Sequence, residues 1–173
     1  MITIYLAGAI RDDHLEEDVG WRETLIDRID SLATASVRIL NPLANKTFNP
    51  ETKEWRVATL KINAKGTVGQ DLWSVRRADV IVANFSSLSQ NYPSIGTVME
   101  VGVAAGIGGK LIYSIIEPDF SGHTNLGIFN LHPFLEQVST EIFPSVKDCG
   151  DFLVAHLGML TGWEPRFGGI TNA

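Results

Sequence analysis

Two near-continuous apolar runs, Asp79–Phe85 and Lys110–Ile116, stand out along the chain. They are rich in β-branched residues and do not alternate with polar ones, so they predict strands buried on both faces. Ile2–Leu6 and Ser36–Leu40 read as two earlier strands, the second stopped by Asn41-Pro42. Between the strands the period changes to that of helices. Trp21, Leu25, Ile29 and Leu32 predict a core-facing helix to about Leu32, opened by a capping-box spacing from Asp13 to Glu16. Val68, Leu72 and Val75 predict a helix over Gly66–Arg77, closed by two arginines that suit the negative end of its dipole. Val98, Val101 and Ala105 predict another, from Ile95 or Gly96 to Gly108-Gly109. Gln137–Phe143 reads as a fifth strand. Ser145–Leu157 reads as a last helix with Val146, Phe152, Leu153 and His156 inward. Leu43–Lys65, Glu117–Pro133 and Thr161–Ala173 show no period. The first is long enough to be a lid or binding loop, in which Trp55 either covers a planar ligand or anchors the loop.

Strand and helix patterns in alternation predict a doubly wound, mostly parallel α/β sheet of about five strands with helices on both faces. No linker or repeat divides the chain, so residues 1–173 are expected to form one domain. Right-handed crossovers would set the carboxyl ends of the first strand and of Asp79–Phe85 side by side. That switch point would gather Gly8, Arg11, Ser94 and Glu100 at one crevice.

A net charge of −6 and a pI near 5.1 argue against a nucleic-acid polymer or a membrane surface as partner. No run approaches the roughly 20 apolar residues of a membrane helix, and the first residues lack a basic leader, so a cytoplasmic protein is expected. Cys149 is the only cysteine, and His14, His123, His132 and His156 lack ligand spacing. Neither a disulfide nor a metal site is expected.

The candidate chemistry centres on Glu100, about a turn into the small-residue helix that holds Gly96, Gly102, Ala104 and Gly106. A positive helix terminus favours its ionised form, and a carboxylate can act as a nucleophile. A solvated helix glutamate is the plainer alternative. The turn Gly8-Ala9-Ile10-Arg11 after the first strand is either a cradle for phosphate or sugar or simply a tight turn.

Four segments, in this order and separation, carry a resemblance to the nucleoside 2-deoxyribosyltransferase family, which includes the nucleoside-5′-monophosphate N-glycosidases. They are Ile4-Tyr5-Leu6-Ala7-Gly8, Gln70-Asp71-Leu72, Ala78-Asp79-Val80-Ile81-Val82, and Ser94-Ile95-Gly96-Thr97-Val98-Met99-Glu100-Val101-Gly102. The resemblance implies a flavodoxin-like fold and a homo-oligomer whose sites are completed by a neighbouring subunit. It implies Glu100 as nucleophile, Asp71 as the carboxylate that serves the nucleobase, and Tyr5 as the hydroxyl that orients Glu100. Asn125-Leu126 resembles the pair that family transferases contribute across the interface. The tail Pro165-Arg166-Phe167 resembles the transferase carboxyl end. One position departs from the pattern. Transferases place an acid six residues before the nucleophile, near the sugar 5′-hydroxyl, where this chain has Ser94. The Pro-Ser-hydrophobic-Gly run there resembles the N-glycosidases instead, whose serine contacts a 5′-phosphate, as does the turn holding Gly8, Ile10 and Arg11. A serine can donate to phosphate where an aspartate would repel it. Ser94 is also a good helix N-cap.

These residues imply cleavage of an N-glycosidic bond in a nucleoside or its 5′-monophosphate, through an oxocarbenium-like state trapped by Glu100. Asp71 would protonate the leaving base if burial raises its pKa. Gly8, Ile10, Arg11, Ser94, Gly96 and Asn125 are the expected substrate contacts. The sugar would pass to another free nucleobase or to water, with no metal or organic cofactor. A strict nucleotide hydrolase and a non-catalytic nucleotide-binding module are the alternatives.

Overall fold

A computed structural model describes residues 1–11, 15–32, 37–44, 46–49, 51–52, 54–57, 60–61, 64–87, 94–117 and 133–160. Strands β1 (Ile2–Gly8), β2 (Val37–Leu40), β6 (Val80–Asn84), β7 (Leu111–Ile115) and β8 (Glu141–Phe143) form a parallel sheet in the order β2-β1-β6-β7-β8. The order reverses between β1 and β6, so the switch point lies where the sequence pattern puts it.

Side chains of successive strand residues point to opposite faces, and here each face has its own core. Ile4, Leu6, Val80, Val82, Tyr113 and Ile115 are buried with Leu25 and Ile29 of α1 (Leu15–Leu32) and with Cys149, Leu153 and Leu157 of α5 (Val146–Leu160). Tyr5, Ala7, Ile81, Ala83 and Ile112 are buried on the other face. They meet Val75 of α2 (Ala64–Arg77), Val101 and Ala104 of α3 (Ile95–Ile107) and Leu135 of α4 (Pro133–Val138). A buried Ile, Leu or Val in either set contributes roughly 1.5–3 kcal/mol by leaving water. The alternation along β1 also sends Tyr5 toward α3.

Several sequence expectations change. Residues 43–65 hold a three-stranded antiparallel meander, β3 (Lys46–Asn49), β4 (Glu54–Val57) and β5 (Leu60–Lys61), instead of an irregular loop. Its turn starts with the Asn49 carboxamide, which accepts from the backbone N–H groups of Glu51 and Thr52. The expected strand over 137–143 is short: Gln137 and Val138 end α4, and pairing begins at Glu141. Pro133 opens that helix because its missing N–H is no loss in a first turn. Val68 stands 53% exposed rather than in a core stripe, since it lies near the start of α2, while Val75 is fully buried. Phe152 is likewise partly exposed. In α3 the buried line runs through Thr97, Val101 and Ala104, with Val98 and Ala105 packed partly against it. Gly108 and Gly109 both take positive φ, and the Gly108 N–H caps the carbonyls of Ala104 and Ala105. The capping segment around Asp13, the side chain of Trp55, His14, His123, His132, the Asn125-Leu126 pair and the 161–173 tail lie outside the described residues.

Candidate active site

Tyr5 and Glu100, separated by 95 residues in sequence, meet across the β1–α3 contact. The phenol Oη donates to Glu100 Oε1 at 2.7 Å. Tyr5 is buried, and burial together with the neighbouring Glu100 and Asp71 charges raises its pKa far above the ordinary value, so it remains a donor. Glu100 is held up at about 7, chiefly by burial and also by the negative charge of Asp71; the Tyr5 hydrogen bond, Arg22 and Lys46 pull the other way. Asp71, on α2, is also raised by burial, against the opposing charges of Lys46 and Arg22. Glu100 thus feels the charge of Asp71, and both carboxylates feel the same two cations. Such a cluster can hold one acid protonated and one ionised near neutral pH, which acid–base chemistry requires.

Arg22 is fully buried in α1 and underpins the end of β1. Its guanidinium donates to the carbonyls of Gly8 (2.9 Å), Ala9 (3.4 Å) and Asp18, and lies over the Trp21 ring. Burial lowers its pKa to about 10, so it keeps its charge at neutral pH. Gly8 is required by this packing: a Cβ there would stand 2.7 Å from Trp21 Cζ2 and 3.1 Å from Arg22 Nη2. Its small size serves the approach of α1, whereas a Cβ on Gly96 would meet nothing.

Arg11 is held by acids. Nη2 is 2.8 Å from Asp18 Oδ1 and 3.3 Å from Glu17 Oε2, and the Arg11 backbone N–H donates to Asp18 Oδ2 at 2.6 Å. A cavity of about 260 Å³ opens beside it, lined by Ala9, Arg11, Asp18, Trp21, Asn84, Ser86 and Ser87, with Glu17 and Glu117 also on its wall. It adjoins the carboxyl ends of β1 and β6, but neither Glu100 nor Asp71 lines it. Ser94 is the link between the two regions. It is buried, its hydroxyl lies 3.5 Å from the Ser87 hydroxyl, and its carbonyl accepts from Val98 N–H at the start of α3. Its side chain makes no capping hydrogen bond, although it occupies the N-cap position. With φ 43° it is the one non-glycine residue of positive φ among those described, a conformation disfavoured for a residue bearing a Cβ. Ile10 is half-buried in the turn between Gly8 and Arg11.

Tyr5, Asp71 and Glu100 are therefore brought together, Ser94 starts the helix that carries Glu100, and Arg11 sits in an acidic clamp. Sequence reasoning missed Asp18, Arg22 and Lys46. Asp18 and Arg22 stand four apart in a helix, but the Asp18 carboxylate turns to Arg11 and Arg22 takes the Asp18 carbonyl, so the spacing gave no usable signal; Lys46, in a segment without period, gave none either. Among the described residues no group of three or more His, Cys, Asp or Glu is placed to hold a metal ion, and no helix is long and apolar enough to cross a membrane.

A flavodoxin-like sheet, with a tyrosine-bound glutamate beside its switch point and a second carboxylate within reach of its field, defines the class: a doubly wound α/β protein. The chain belongs to the nucleoside 2-deoxyribosyltransferase-like family, whose model matches residues 1–119. No curated protein matches it in sequence. Among solved structures it resembles a 2-deoxyribosyltransferase from Leishmania mexicana (TM-score 0.62, 20% identity, 90% of this chain and 99% of that one). It also resembles a conserved protein from Enterococcus faecalis (TM-score 0.62, 18% identity, 87% and 96%). A CMP N-glycosidase from Clostridium botulinum is similar too (TM-score 0.52, 18% identity, 87% and 97%). At these identities the structural likeness establishes the fold; the family indicates a glycosyl-transferring type of enzyme acting on nucleosides or nucleotides.

Proposed function

We propose that this chain cleaves the N-glycosidic bond of a 2′-deoxynucleoside and passes the deoxyribosyl group to another nucleobase or to water. The observation that carries the reading is the 2.7 Å bond from Tyr5 to Glu100, with the charge of Asp71 felt at the same carboxylate. Glu100 attacks C1′ through the oxygen that Tyr5 leaves free. The C1′–N bond breaks, its electron pair goes to the base, and Asp71 delivers a proton to a ring nitrogen. In the second step Asp71 takes a proton from the incoming base or water, which displaces Glu100 from C1′. Burial raises both pKa values, and since the negative charge of Asp71 helps to raise Glu100, these roles require the proton to pass from Glu100 to Asp71 before attack. The role of Glu100 as nucleophile requires that it be the one ionised.

The clamp on Arg11 favours a nucleoside over its 5′-monophosphate. Asp18 and Glu17 occupy the guanidinium, and Glu117 adds a further negative group to the same cavity wall. A dianionic phosphate would meet repulsion there that a 5′-hydroxyl would not. The exposed apolar residues Ile95, Met99 and Ile107 of α3, with Phe134 of α4, support a homo-oligomeric enzyme in which a neighbouring subunit covers part of this surface, and we take it to be cytoplasmic. In that assembly Asn125 of one subunit would serve the site of the next.

The decisive experiment is trapping. A 2-fluoro sugar analogue slows release of the glycosyl-enzyme, and peptide mass mapping should find the adduct on Glu100. An adduct on another residue, or turnover with no adduct at any time, would sink the covalent mechanism. Incubation with and without a second free base then separates transfer from hydrolysis. If Glu100→Gln bound nucleoside normally and the parent showed no turnover, the chain would be a binding module.

A further inference from the structure

Lys46 opens β3 in the small antiparallel sheet, paired with Val57 of β4. Its ammonium Nζ is buried and makes no hydrogen bond. Oδ1 of Asp71, on α2, is in the same condition. The two groups are near enough for Lys46 to be the leading charge that opposes the rise of the Asp71 pKa, and its field extends to Glu100. They nonetheless do not bond to one another. Burying a charged donor and a carboxylate oxygen within each other's field without pairing either is costly, and a polar group of a bound molecule would relieve both.

The chemistry of the orphans limits what that molecule presents. An ammonium has three donors and no acceptor, so it asks for an acceptor. Asp71, whether it accepts as carboxylate or donates as acid, asks for an adjacent ring nitrogen. A carbonyl beside a ring nitrogen meets both requirements. An exocyclic amino group in place of the carbonyl would face Nζ with donors and leave it unpaired. We propose that Lys46 reads a carbonyl oxygen on the departing nucleobase, so that the enzyme selects oxo-bases over amino-bases. This rests on the assignment of Asp71 to the base under the function proposed above. The positive charge also steadies the electron pair that the base carries off when the C1′–N bond breaks, with the proton still supplied by Asp71.

The test compares 2′-deoxyinosine with 2′-deoxyadenosine, which share a purine frame and differ in carrying a carbonyl or an amino group at C6. A hydrogen bond to a charged donor predicts a preference in kcat/KM of about 10- to 100-fold for 2′-deoxyinosine in the parent. Lys46→Met removes a charge that both carboxylates feel, so some activity is lost on either substrate, but the loss should be larger on 2′-deoxyinosine by that factor, bringing the preference toward one. Lys46→Gln, which keeps a donor without the charge, should retain part of the preference. Thermal melts of both variants guard against a fold defect. If Lys46→Met does not fold, the Lys46→Gln ratio and the parent's own preference decide the matter. A parent that turns over both nucleosides equally would overturn the proposal, as would variants that lose activity on both in parallel. Those outcomes leave the glycosidase reading intact. Absence of base release from every nucleoside and nucleotide would defeat the glycosidase reading, and this one with it.

Discussion

Replacing Tyr5 with phenylalanine removes one oxygen from a buried site and leaves the ring that fills it. The phenol donates to Glu100 at 2.7 Å, and this bond is the strongest of the influences that hold the Glu100 pKa down. A hydrogen bond to a charged group contributes about 1.5–3 kcal/mol. At 1.36 kcal/mol per pKa unit this corresponds to a rise of roughly one to two units. Glu100, at about 7 in the parent, would then titrate near 8–9 in Tyr5→Phe. If ionised Glu100 is the nucleophile, its population at pH 7 falls from about one half to between about one in ten and one in a hundred. The rate at that pH falls about 5- to 50-fold with it. The assay is kcat/KM for base release from about pH 5 to about pH 10, for parent and variant. The acid limb should move to higher pH by about one to two units. Any loss that persists above that limb measures how far the phenol also aims the carboxylate. A limb that stays in place, or moves to lower pH, refutes the reasoning, because either result means that the group controlling activity does not take its pKa from this bond.

Three further outcomes are expected. Because Glu100 has a folded-state pKa near 7 against an ordinary 4.5, the stability associated with its protonated form is full below about 4.5 and is lost as pH rises through about 7. Glu100→Gln should therefore be inactive yet more stable than the parent at pH 8, by up to about 3 kcal/mol, with the difference fading toward pH 4.5; chemical denaturation at the two pH values checks this. Gly8→Ala would bring a Cβ to 2.7 Å from Trp21, forcing a shift that costs about 1–3 kcal/mol, read as a lower Tm and altered tryptophan fluorescence. Asp18→Asn removes the main partner of Arg11 and should raise turnover of a deoxynucleoside 5′-monophosphate relative to the free nucleoside; an unchanged or lower ratio would mean that the clamp does not set this choice.

Much of the fold was legible because buried parallel strands are written as unbroken apolar runs. Val80–Asn84 and Leu111–Ile115 have few other readings, and the helices between them follow their own period. The meander was hidden for the opposite reason. Its strands are two to four residues long and carry Lys46, Glu54, Arg56 and Lys61, so neither period nor apolar content signals them. Val68 misled because spacing alone does not tell which turns of a helix are covered by the rest of the fold. Within the site, the carboxylates and Tyr5 came from residue types in a familiar order. The cations did not: the roles of Arg22 and Lys46 depend on which distant backbone and carboxyl groups they reach, and no local pattern encodes that. Arg11 was read as open to a ligand because no local pattern shows that Asp18, seven residues on, turns its buried carboxylate to the guanidinium.

The alternation along β1 carries a consequence for how the molecule tolerates change. Tyr5 and Leu6 face opposite layers, one toward Glu100 and one toward the α1–α5 side. An insertion of a single residue between Leu6 and Gly8, with Gly8 held against α1 and the strand still paired to β2 and β6, would slip both by one place, lodging a phenol among aliphatic side chains and an inert leucine against the glutamate. Two inserted residues would restore the facing. For this strand, whether a length change is even or odd counts for more than its size, and libraries that vary the length between Leu6 and Gly8 should show survival alternating with that parity.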